Sequence, residues 1–99
     1  MLFAITFAPR PNITEEREKR LLKLFGAWTP PAGFEFKGFY DYADGEGGIA
    51  LVEVASTATM FEALVPWGVF FEFKARPIVP VDISVPLAHK GIAWRDSVS

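Results

Sequence analysis

Apolar and polar positions over Leu2–Ala8 follow a period of two. Phe3, Ile5 and Phe7 share one side, and Leu2, Ala4, Thr6 and Ala8 the other. Both sets are largely apolar, so the segment reads as a central strand covered on two faces. Pro9 and Pro11 end it. The period then lengthens. Asn12 or Thr14 can cap a helix reaching about Trp28, with Glu15 and Glu16 in a first turn where the helix dipole favours acids. Leu21, Leu24, Phe25 and Trp28 form its apolar stripe, and Pro30-Pro31 stop it. Phe34–Tyr42 and Ile49–Ala55 read as strands joined by the turn Asp44-Gly45-Glu46-Gly47-Gly48. Ser56 caps a second helix through about Val65, with Met60, Phe61, Leu64 and Val65 on its stripe. Phe70 to about Val79 reads as a fourth strand, which Pro77 and Pro80 confine to a sheet edge or a strand end. Ser84 and Pro86 open a short third helix over Leu87–Trp94, weakened by Gly91.

This order, β-α-β-β-α-β plus a C-terminal helix, is the split βαβ pattern of an α+β, ferredoxin-like fold. It predicts one domain over residues 1–99, with a four-stranded antiparallel sheet and both helices on one face. The strands carry apolar residues to both faces, so the bare face needs a cover. A second copy packed sheet to sheet about a two-fold axis supplies it, giving a homodimer with a dimeric α/β barrel.

Composition sharpens that expectation. The 99 residues are 51% hydrophobic and include ten Phe, three Trp and two Tyr. A domain of this size buries only about two-thirds of its unfolded surface, so some of these rings need a partner. Ten Lys+Arg against twelve Asp+Glu give a net charge of −2. With a pI near 5.3, the chain lacks the basic footprint of a nucleic-acid module. The absence of Cys removes disulfides, thiolate metal sites and thiol nucleophiles, and favours the cytoplasm. Met1–Ala8 has no basic leader and reads as a strand rather than a signal peptide. The longest charge-free run, Leu24–Phe34, is interrupted by Gly26, Pro30, Pro31 and Gly33, so it predicts no membrane span.

Five segments resemble a family of small, mostly bacterial proteins known as domain of unknown function 3303. They are Ile5–Pro11, Phe25–Pro31, Ala43–Glu53 (ADGEGGIALVE), Ala63–Phe73 (ALVPWGVFFEF) and Ile92–Val98. The resemblance implies a dimeric α/β barrel, whose relatives by fold include antibiotic-biosynthesis-type monooxygenases, muconolactone isomerases and stress-responsive barrel proteins. It implies no reaction and no catalytic motif, because fold alone does not carry function.

Few residues suggest chemistry. Counting parity back from the hairpin turn places Phe36, Gly38, Tyr40 and Tyr42 on one face with Ile49, Leu51 and Glu53, and sets Gly38 nearly across from Glu53. Glu53 and Tyr40 then become polar groups in an apolar pocket, where a buried carboxylate acts as a general base. The plainer reading is a strand-end Glu in solvent or paired with a Lys. His89 is the sole His, either a proton carrier at a barrel mouth or a surface residue, and no ligand spacing around it predicts a metal. Trp67, beside Pro66, either floors a ligand pocket with Phe71 or fixes a loop by packing. Trp28 and Trp94, on helical stripes, read as packing residues. Arg76 either holds an anion or pairs across a strand edge.

Three functions follow. The first is a small hydrophobic ligand held between sheet and partner subunit by Tyr40, Glu53, Trp67 and Phe71, with His89 at the mouth. The second is a structural or regulatory homodimer with a filled barrel. The third is a cofactor-free monooxygenase or isomerase-like enzyme, with Glu53, His89 and Tyr40 as candidate catalytic residues. Nucleic acid, membrane and metal are not expected partners.

Overall fold

A computed structural model describes residues 1–99. Four strands, β1 (Leu2–Pro9), β2 (Phe34–Asp41), β3 (Gly48–Val54) and β4 (Phe71–Pro77), form one antiparallel sheet in the order β2-β3-β1-β4. Helices α1 (Glu15–Ala27) and α2 (Thr57–Leu64) lie over one face. A single 3-10 turn, Val65–Trp67, carries the chain from α2 toward β4. The result is the α+β ferredoxin-like arrangement.

Local chemistry places the elements where the periodicities do. Thr14 caps α1, its side chain accepting from the Arg17 amide at 3.1 Å, while Asn12 takes a left-handed φ of 65° in the preceding turn. Ser56 caps α2 through the Thr59 amide, also at 3.1 Å. Both prolines of the β4 prediction sit as expected, since β4 is a sheet edge and needs no outward donor at Pro77.

The core lies between the sheet and α2. Phe3 and Ile5 from β1 meet Ala50, Val52 and Val54 from β3, with Phe34, Met60 and Ala63 completing the cluster. The opposite sheet face is half-exposed, not polar. Leu2, Ala4 and Thr6 stand there beside Ile49 and Leu51. Charges flank this apolar strip at Glu35 and Lys37 on one edge and at Glu72, Lys74 and Arg76 on the other.

The C-terminal segment departs from the expected short helix. Helix α3 runs over Val81–Ser97, with Pro80 as its N-cap and Pro86 inside it. Ile83 and Ser84 both donate their amides to the Pro80 carbonyl at 3.0 Å, so the first turn forms well before Pro86. No residue of α3 is buried. No helix is long and apolar enough to cross a membrane.

Candidate functional site

Leu21, Leu22 and Phe25 of α1, with Trp28 just past its end, face the sheet across a gap. Ile5, Phe7 and Ala50 make the floor. Ala50 is the smallest side chain under the helix, and rings surround it: Trp28, Phe34 and Phe36 at one side, Phe39, Phe71 and Phe73 at the other. Between them lies a cavity of about 380 Å³. That volume falls in the range of small-molecule sites, roughly 300–1,000 Å³.

The rings meet mostly edge to face. Phe25 stands at 5.9 Å from Phe39 and 6.0 Å from Trp67, and Trp28 at 5.2 Å from Trp67. Phe36 and Phe39 are the exception, stacked at 4.5 Å with planes 3° apart. A β-bulge makes that stack possible. Phe36 pairs with Val52 and Gly38 with Leu51, so Lys37 is an extra residue on β2. It allows Phe36 and Phe39, three apart in sequence, to point to the same helix-covered face.

The bulge corrects the parity expected for the hairpin. Gly38 and Tyr40 do share the open face with Leu51 and Ile49, but Phe36 lies on the other one. Glu53 pairs across from Glu35 and Leu2, not from Gly38. Its carboxylate accepts from the Met1 amine at 2.7 Å and is exposed to solvent. Glu53 therefore stands outside the cavity. Tyr40 borders it at the β2 edge, with its ring over Gly38 and largely exposed. Trp67 and Phe71 both line it. His89 sits on α3, exposed and apart from the cavity. Trp94, on the same helix, is uncovered rather than packed. Arg76 faces out from β4 across from Ala4, without an acidic partner.

Trp67 and Phe34 are the best-buried rings of the lining, each 7% exposed, and the Trp67 indole Nε1 has no hydrogen-bond partner. Its neighbours are the rings of Phe25 and Trp28, whose π faces give an N–H only weak compensation. Fifteen of the sixteen lining residues are hydrophobic, the sixteenth being Asp41 at the β2 edge. The interior thus offers dispersion and ring contacts, with no acid or base inside. No three His, Asp or Glu side chains cluster as a metal site.

A family model described as "Domain of unknown function (DUF3303)" matches residues 1–92. The chain belongs to that family. No curated protein matches it. In this DUF3303 chain the matched region spans every strand, both sheet-covering helices and the whole cavity.

The α1 side of the cavity was missed by sequence reasoning, which assigned Leu21, Phe25 and Trp28 to packing. One signal pointed to it. A stripe of rings facing a strand whose central residue is Ala50 cannot close down without leaving a gap.

Proposed function

We propose that this protein binds a small, flat, apolar molecule between α1 and the sheet, as a cytoplasmic homodimer joined through the open sheet face. The aromatic-walled cavity over Ala50 carries the reading. The space is a groove open on one side, where Leu22, Phe25 and Phe39 are exposed, and its volume and apolar lining are those of small-molecule sites. Rings set edge to face leave slots that accept another aromatic plate. The cavity is the argument against a merely filled barrel. An enzyme in the same place would have to draw proton transfer from Asp41 at the rim, since Tyr40 lays its ring over Gly38 on the open face and Glu53 and His89 stand elsewhere. The half-exposed strip from Leu2 to Leu51 supports the dimer, and the absence of Cys supports the compartment.

N-phenyl-1-naphthylamine, a neutral fluorescent plate, is the test probe. Saturable binding of one molecule per chain is expected, with quenching of the Trp28 and Trp67 emission. Ala50→Leu fills the floor and should weaken binding at least 10-fold. Amide exchange of β1 and β3 reports whether that variant still folds. Absent binding, or unchanged affinity in a folded Ala50→Leu variant, overturns the proposal.

A further inference from the structure

Helix α3 is unlike the rest of the molecule. The longest dimension is 63 Å against 30 and 20 Å for the others, and the radius of gyration is 17.9 Å, where a domain of this length needs about 13 Å. The excess is α3 leaving the body. The main chain makes its last sheet contact at Ile78, whose amide donates to the Leu2 carbonyl at 2.9 Å. Only Val79 and Pro80 separate that contact from the first helical residue. Pro77 and Pro80 fix φ at both ends of this connection.

Such a helix does not sustain itself in water. Val81, Ile83 and Val85 are β-branched, Gly91 is a weak helix former, and Pro86 leaves the Asp82 carbonyl without its donor. At 17 residues it is only just longer than the ~12–15 below which even Ala-rich helices are marginal, and its residues are poorer. Yet it carries six large exposed hydrophobics: Val81, Ile83, Val85, Leu87, Ile92 and Trp94.

Their placement says how it is covered. At 100° per residue, Val81, Val85, Ala88 and Ile92 fall within about 60° of arc, at the i, i+4, i+7, i+11 spacing of a helix–helix seam. Ile83, Leu87 and Trp94 fall within about 40° on the other side of the helix, with the charged Lys90 on the margin of this stripe at the i+7 position of the same seam, its long stem able to lie along Leu87 and Trp94. Asp82, His89 and Asp96 separate the stripes along one flank, Ser84 and Arg95 along the other. A helix lying on its own body, or on a lipid surface, needs one apolar stripe. Two opposed stripes fit a helix enclosed between two protein surfaces.

We infer that α3 is an exchanged arm that packs on a second copy of this chain, one stripe against that copy's body and the other against that copy's own α3. Two-fold symmetry gives each arm the same pair of contacts. Covering one half of a rod ~25 Å long and ~10 Å across removes about 400 Å². Two arms and the two surfaces receiving them reach the ~1,600 Å² of a stable interface. The inference rests on the homodimer proposed above and adds the element that completes it.

The experiment measures self-association of the full chain by sedimentation equilibrium. One variant joins Val85→Asp to Ile92→Asp, and a second joins Ile83→Asp to Leu87→Asp. Each stripe variant is expected to weaken association at least 10-fold, while His89→Ala, between the stripes, leaves it unchanged. Protection of β1 and β3 amides should persist in both, because α3 contributes nothing to the core. Loss of association in only one variant shows that a single stripe meets the second copy, and overturns the inference of an arm enclosed on two sides. Unchanged association in both also overturns it, and leaves the sheet-face dimer standing if Leu51→Lys dissociates. A monomeric wild-type chain overturns both readings together.

Discussion

Trp67 shows how one residue can be both core and site. It is buried, so removing its ring should cost about 3–5 kcal/mol, the usual range for a large aromatic replaced by Ala. Its Nε1 has no acceptor, so Trp67→Phe loses ring volume but no hydrogen bond. That variant is expected to cost clearly less than Trp67→Ala, as urea unfolding would show. Equal losses would mean that the indole N–H is satisfied after all. Gly47 is the other position where one residue decides. Its φ is +100°, and a Cβ there would overlap the Phe7 carbonyl oxygen, whereas Gly45, at +79°, faces open space. Gly45→Ala should cost only the strain of its dihedral, about 1–3 kcal/mol. Gly47→Ala should cost measurably more by the same unfolding assay, because β1 must also move. The sequence made Trp67 and Phe71 legible, since a ring beside Pro66 and a strand alternation need no distant partner to be noticed. Glu53 sits as its plainer reading has it, a strand-end acid in solvent beside a cation, here the Met1 amine; the pocket alternative needed a hairpin register that only the folded strands reveal.

At the level of elements, caps and breakers were legible and register was not. Ser56 illustrates the first. Its side chain holds the Thr59 amide and lies 3.0 Å from the Thr59 hydroxyl. Ser56→Ala should therefore lower stability by about 0.5–2 kcal/mol, read as a shift in urea midpoint at constant slope. Helix α2 is short and its inner side reaches the core at Met60 and Ala63, so the loss should propagate to the whole fold. An unchanged midpoint would show that packing alone holds α2. The β2 bulge illustrates the second. Gly38, a glycine inside a strand, is the one local hint of a bulge, but which residue is extra depends on Phe36 and Phe39 both facing α1, a contact absent from any local window. The same reason hid the cavity. Periodicity marks the side of α1 that faces the sheet, but the gap between them depends on ring sizes summed across α1, β1, β2 and β3.

For the whole molecule, the surplus of apolar residues resolves into four places: a packed core, a cavity wall, and two uncovered surfaces. The uncovered surfaces are the open sheet face and α3, and exposed apolar surface of this kind is where proteins make contacts. Leu51 tests the sheet face. It sits on β3, an inner strand, and is half-exposed in a single chain. In a lone chain Leu51→Lys can let its long stem lie along Ile49 and extend its ammonium to water, so the substitution should change intrachain stability little. In a dimer closed through this face, the same ammonium is trapped between two apolar sheets without a counter-ion, which costs several kcal/mol per site. The two-fold axis doubles the penalty. Leu51→Lys should therefore sediment as a monomer at concentrations where the wild-type chain is a dimer, with β-sheet protection intact. A dimeric Leu51→Lys would move the interface off the sheet, and the apolar strip between Leu2 and Leu51 would then need another cover.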